Sequence, residues 1–145
     1  MDELERRKVA LVTGAASGIG AALVRQLVAA NCDVLGVDLN EEGLARVAAE
    51  TGCEVLRGDI SAQEFNETAV AKVSDLFGSL ELLFLNAGIL GRKIELQIND
   101  LTLDELDPSQ YTKVRAINFD SVVFGTLAAS KLMMENDGGS IIATA

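Results

Sequence analysis

Hydrophobic positions along the chain fall into short continuous runs separated by longer stretches with helical spacing. Val9-Ala10-Leu11-Val12 is unbroken by polar residues and stops at Thr13-Gly14, as a strand buried on both faces does. From Gly18 to Asn31, the residues Ile19, Leu23, Leu27 and Ala30 recur at intervals of three and four, the spacing of one helix face. Val34-Leu35-Gly36-Val37 predicts a second strand closed by Asp38. Glu41 to Glu50 predicts a helix stopped by Gly52, and Glu54 to Arg57 a third strand leading into Gly58-Asp59. Ser61 to Phe77 reads as a third helix, with Ser61 as N-cap, Glu64 completing a capping box and Gly78 as terminator. Leu80 to Leu85 is a fourth strand. Gly88 to Asp107 is polar and without clear period, an irregular region long enough to be functional. Pro108 suits the first turn of a helix over about Ser109 to Asn136; Asp137-Gly138-Gly139 breaks it, and Ser140 to Thr144 is a fifth apolar run.

Strands this apolar, alternating with helices, imply a parallel sheet covered on both faces. Right-handed crossovers then favour a doubly wound α/β domain with strand order 3-2-1-4-5, a single unit over residues 1–145. The fifth strand has no helix after it to cover it, so the domain reads as C-terminally truncated.

Composition narrows the function. A hydrophobic fraction of 49% in 145 residues supports one core. With 22 acidic against 12 basic residues the net charge is −10, which disfavours nucleic acid and anionic membrane as partners. No apolar run approaches the roughly 20 residues of a membrane span. The charged start, Met1 to Lys8, lacks the apolar stretch of a secretory signal, so a cytoplasmic protein is expected. There is no histidine, which removes Ser-His catalysis and His-ligated metals. Cys32 and Cys53 alone make no four-ligand metal site, so no metal is expected and both read as small buried thiols.

The candidate chemistry lies in Thr13-Gly14-Ala15-Ala16-Ser17-Gly18-Ile19-Gly20, between the first strand and the first helix. Glycines there let backbone approach a pyrophosphate, and the helix N-terminus supplies unpaired N–H groups for that anion. The spacing is GxxxGxG rather than GxGxxG, and no Gly-Lys-Ser/Thr follows, so a triphosphatase loop is excluded. Asp38 ends the second strand 18 residues after Gly20, where a carboxylate can accept from both hydroxyls of an adenosine ribose. The same carboxylate repels a 2′-phosphate, and neither Ser17 nor Leu39 offers a cation to hold one, so NAD is favoured over NADP. Asp59, at the end of the third strand, can accept from an adenine amino group.

Thr13-Gly14-x-x-x-Gly18-x-Gly20, Asp38, Asp59-Ile60 and Asn86-Ala87-Gly88, in this order, resemble the short-chain dehydrogenase/reductase family, from Val9 to Ala145. The resemblance implies a Rossmann-type fold. It implies that Gly14, Ser17, Gly18, Ile19 and Gly20 wrap the pyrophosphate and adjacent ribose of NAD. Asp38, with Leu39 beside it, would hold the adenosine ribose, Asp59 with Ile60 the adenine, and Asn86, Ala87 and Gly88 the cleft behind the fourth strand. Leu85 stands where the family usually has a further Asn. Ala116 to Ser121 resembles the segment carrying the family's catalytic asparagine, here Asn118. That residue would help hold a water in a proton relay, through its side chain and a locally opened helix. Asn86 and Asn118 are 32 residues apart, longer than the family pattern, and the extra length falls around Arg92 to Asp107.

The family's reaction also uses a serine, a tyrosine and a lysine. Gly139 to Ala145 resembles the strand leading to that serine, whose position follows Ala145. No Tyr-x-x-x-Lys is present: Tyr111, the only tyrosine, precedes Asn118 and has Arg115 four residues on. The chain therefore reads as the NAD-binding part of an oxidoreductase acting on an alcohol or carbonyl substrate, without activity on its own. The alternative is a non-catalytic dinucleotide-binding or association module; a methyltransferase-like domain fits the glycine turn but not Asn86-Ala87-Gly88 with Asn118. Val114, Ile117, Val123, Leu127, Ala128 and Leu132 form an apolar face read as packing on the sheet. In the family, this helix and one after the Tyr-Lys pair commonly build a homo-oligomer interface, of which this chain carries only the first part.

Overall fold

The computed structural model describes residues 6–91 and 107–144. Five parallel strands, β1 (Val9–Thr13), β2 (Asp33–Asp38), β3 (Glu54–Arg57), β4 (Leu82–Leu85) and β5 (Ser140–Ala143), lie in the order 3-2-1-4-5. Helices α1 (Gly18–Ala29), α2 (Glu41–Thr51), α3 (Gln63–Phe77), α4 (Pro108–Arg115) and α5 (Ser121–Glu135) connect or follow them. Alternation along the central strands divides the core in two, because successive side chains of a strand point to opposite faces. Val9 and Leu11 of β1, Leu35 and Val37 of β2, and Leu83 and Leu85 of β4 pack with Ala69, Val70 and Val73 of α3 and Ala129 and Met133 of α5. On the other face Ala10, Val12 and Val34 pack with Ala21 and Val24 of α1 and Leu44 and Val47 of α2. All of β1 is buried, which is why its sequence shows no polar interruption.

Several boundaries differ from the sequence reading, each for a local reason. Ser61 does not cap α3: its N–H and hydroxyl both donate to Asp59 Oδ1, and the helix starts two residues later with Ala62 as N-cap. Ile19 and Ala30 are exposed, and α1 buries Gly20, Ala21 and Val24 instead. Cys32 and Cys53 are half-buried free thiols against the α1–α2 side of the sheet. Asp107 caps α4 by accepting from the Ser109 N–H, with Pro108 in the first turn. The helix expected over 109–136 is two helices joined by a π-turn at Ala116–Asp120. After that turn the buried stripe is Ser121, Gly125, Ala129 and Met133, while Val123 and Leu127 face outward. Gly125 lets α5 approach β4, since a Cβ there would stand 2.5 Å from Leu85 Cδ2. The irregular region at 88–107 is described only at its two ends. Strand β5 is exposed along its length, with Ile141 and Ile142 uncovered among the described residues.

Candidate functional site

Parallel strands deliver their C-terminal ends to one edge of the sheet, where the connecting loops open a cleft. Here that cleft has a volume of about 410 Å³, within the range of small-molecule sites. Its floor is the turn after β1. Gly14 has φ +69°, and a Cβ on it would stand 2.9 Å from Ala87 Cα, so only glycine lets β1 and β4 meet there. Gly20 holds the turn from beneath: a Cβ on it would run into the Gly14 carbonyl oxygen. Gly18, with φ +53°, has open space around it.

Helix α1 begins directly behind this turn. Its first intrahelical bond at this end is donated by the Ala21 N–H to the Ser17 carbonyl, so the N–H groups of Gly18, Ile19 and Gly20 precede the ladder. The Ser17 side chain caps none of them. Free N–H groups at the positive end of a helix dipole make a seat for an anion.

On one side, Asp38 ends β2 half-buried. Its Oδ2 accepts from the Ala16 N–H at 3.1 Å and its Oδ1 from the Asn40 N–H at 2.9 Å. An ionised carboxylate has about four lone-pair sites, so acceptor capacity remains toward the cleft. Gly58 N–H donates to the Asp38 carbonyl and Arg57 Nε to the Leu39 carbonyl, tying β3 to this corner. Beyond it, Asp59 is exposed and Ile60 buried. Asn66 of α3, itself buried, donates from Nδ2 to the Ile60 carbonyl at 2.8 Å and to the Ala62 carbonyl at 2.9 Å.

On the other side, Thr13 joins β1 to the segment after β4. Its Oγ1 accepts from the N–H groups of Asn86 and Ala87, both at 3.0 Å. The Asn86 side chain in turn accepts from Thr144 Oγ1 at 3.1 Å, so the ends of β1, β4 and β5 share one hydrogen-bonded corner. Asn118 lies in the π-turn and is clamped to Ile89. Its Oδ1 accepts from the Ile89 N–H at 2.8 Å, and its Nδ2 donates to the Ile89 carbonyl at 2.9 Å. The helix is opened at Asn118 as expected, and its side chain bonds both backbone groups of Ile89.

Gly14, Ser17, Gly18, Ile19, Asp38, Leu39, Asp59, Ile60, Asn86, Ala87 and Gly88 all line the cleft. Gly20 does not; it supports Gly14 from below. Asn118 stands behind Ile89 rather than in the lining. Gly58, Ile89, Ile117 and Thr144 line it without having been expected. Gly58 lay next to the Asp59 signal, and a Cβ there would overlap the Phe65 ring. Ile117 and Thr144 lie within the segments singled out at Ala116–Ser121 and Gly139–Ala145 without being picked from them, and Ile89 follows Asn86-Ala87-Gly88 directly. Among the described residues no group of acidic or cysteine side chains is placed to hold a metal ion, and no helix is long and apolar enough to cross a membrane.

Residues 8–145 match the family model described as short chain dehydrogenase. A 3beta-hydroxysteroid dehydrogenase 2 from Eggerthella lenta is 33% identical over 144 residues, covering 95% of this chain and 53% of that protein. A D-threitol dehydrogenase from Mycolicibacterium smegmatis is 34% identical over 142 residues, covering 93% and 51%. The crystal structure of a short chain dehydrogenase/reductase from Burkholderia phymatum in complex with NAD superposes with a TM-score of 0.85 at 27% identity, covering 96% of this chain and 49% of that one. The chain thus spans about half the length of the curated relatives it matches.

Proposed function

The chain belongs to the short-chain dehydrogenase family, and on that premise we propose that it is the NAD-binding part of an oxidoreductase acting on an alcohol or carbonyl. The observation that carries this reading is the pairing across one cleft of a half-buried carboxylate, Asp38, with the uncapped N-terminus of α1. The residues present fit a nicotinamide dinucleotide: a backbone cradle too tight for any Cβ at Gly14, donors for a pyrophosphate, and an acceptor for ribose hydroxyls. Bound there, such a cofactor would supply hydride transfer at its nicotinamide ring.

In this reading the N–H groups of Gly18, Ile19 and Gly20 hold the pyrophosphate, Asp38 the adenosine ribose, and Asp59 with Ile60 the adenine. Asn86, Ala87 and Gly88 line the inner cleft, and Asn118 acts by fixing Ile89. Asp38 favours NAD over NADP because its charge opposes a 2′-phosphate and neither Ser17 nor Leu39 supplies a cation. The named relatives act, by their names, on a hydroxysteroid and on threitol, which supports an alcohol or carbonyl as substrate class for the whole protein. The acidic composition and two free thiols support a cytoplasmic setting.

The residues given contain no Tyr-x-x-x-Lys, and Tyr111 is exposed on α4 outside the cleft. With no phenol at the cleft to exchange a proton with substrate oxygen, the chain binds cofactor without turnover. Mixing it with NADH tests both halves: the expected result is a saturable change in NADH fluorescence with no consumption when a panel of aldehydes and ketones is added. Absence of saturable binding would contradict the reading, and steady NADH oxidation would contradict its inactivity.

A further inference from the structure

Asp38 is held by a closed ring of contacts whose narrowest point is Gly43, in the first turn of α2. The Ala16 N–H donates to Asp38 Oδ2 and the Asn40 N–H to Asp38 Oδ1. The Asn40 side chain caps α2 by accepting, through Oδ1, from the Gly43 N–H at 3.0 Å. Gly43 closes the ring sterically against Ala16: a Cβ there would lie 2.7 Å from Ala16 Cβ and 2.8 Å from the Ala16 carbonyl oxygen. Both Gly43 and Ala16 are buried, so the displacement has no solvent to open into. A second glycine contact runs parallel to the first. A Cβ at Gly36 of β2 would stand 2.9 Å from Ala15 Cβ, and the Ala15 N–H donates to the Val37 carbonyl. The two alanines of the glycine-rich turn therefore each seat on a glycine of the β2–α2 unit.

Resting on the cofactor reading above, we infer that Gly43 is a positioning residue for ribose recognition. By letting α2 seat on Ala16, it aims both oxygens of Asp38 before any ligand arrives. Nothing in the glycine-rich signature points to it, since it lies 23 residues beyond Gly20 and inside a helix. Its effect should be greatest where both ribose hydroxyls meet Asp38, and smaller for a ligand that lacks the 2′-hydroxyl. The pyrophosphate donors, the N–H groups of Gly18 to Gly20, are not among the groups that bond the carboxylate, which are the N–H groups of Ala16 and Asn40.

Calorimetric titration with ADP and with 2′-deoxy-ADP separates these roles. For the unaltered chain, ADP should bind about tenfold more tightly than its deoxy analogue, the value of one hydrogen bond to a charged acceptor. In Gly43→Ala that ratio should fall to within about twofold of unity, with ADP losing more affinity than 2′-deoxy-ADP, which keeps only the 3′-hydroxyl for Asp38. Ala16→Gly combined with Gly43→Ala removes the Cβ–Cβ contact and should recover part of the ratio. Where Gly43→Ala does not fold, Asn40→Gly opens the same ring at a position where glycine still starts a helix, and it too should lower the ratio. An unchanged ratio in the folded variants, or an equal weakening of both ligands, would overturn the inference. Failure of the unaltered chain to bind ADP would overturn the cofactor reading itself, and the inference with it.

Discussion

At Gly20 one missing methyl group decides the shape of the cleft, because a Cβ there would collide with the Gly14 carbonyl on which the turn rests. Gly20→Ala should therefore weaken NAD binding by at least about tenfold, a 1.4 kcal/mol loss, in a calorimetric titration. Gly18 makes the complementary case. Its surroundings are empty, but φ +53° penalises a β-branched side chain, so Gly18→Val should abolish NAD binding and unchanged affinity would remove the residue from the site. Asp38→Asn keeps an oxygen acceptor but loses the charge, and should narrow the proposed preference for NAD over NADP in the same titration. The glycines are legible in sequence because one turn sets their spacing, and Asp38 because it closes the next strand. Ile89, Ile117 and Thr144 are ordinary apolar or hydroxyl residues, and only the meeting of β4, β5 and the π-turn brings them to the cleft. Gly20 shows the converse, a residue with the right signature that acts from beneath the lining rather than within it.

Among the elements, strands were the more legible because burial on both faces leaves an apolar run with few alternatives. Helix faces were less so. Val114, Ile117, Val123, Leu127, Ala128 and Leu132 look like one stripe at helical spacing; Ile117, Ala128 and Leu132 do pack against the core, but Val123 and Leu127 face outward. The π-turn takes up extra residues per turn, and α5 then buries Ser121, Gly125, Ala129 and Met133. The side chains on that stripe are mostly small, so hydrophobicity alone did not mark it. Ser61 misled for a related reason: a hydroxyl near a helix start can serve a turn instead, and here it bonds Asp59. Asn118→Ala should release Ile89 and raise amide exchange at that residue, with β4 unchanged. The cap of α4 responds to pH. The Ser109 hydroxyl, and after it the Ser109 N–H, hold the Asp107 carboxyl below its ordinary value. A lowered value means that the cap is intact above the usual carboxylate range and is lost as pH falls through the lowered one. Amide protection in the first turn of α4 should accordingly persist at neutral pH and drop in strong acid.

For the whole molecule, strand order followed from parallel alternation and right-handed crossovers, and the sheet has that order. Stability rests on the two layers that cover β1 and β2. Leu35 is fully buried on the α3–α5 face, so Leu35→Ala should cost about 2–5 kcal/mol in chemical denaturation. Ligand should act in the opposite direction, adding about 2.7 kcal/mol at 100 times its dissociation constant. Occupation of the cleft between the glycine-rich turn and Asp38 by NAD is what the proposed function stands on. The most direct test is to titrate NAD into isotope-labelled chain and follow backbone amide resonances. Saturable shifts are expected at Ser17 to Gly20, Asp38 to Leu39, Asp59 to Ile60 and Asn86 to Ile89, with smaller changes for NADP at equal concentration. Absence of shifts at saturating NAD, or shifts centred on the exposed face of α5 instead, would contradict it.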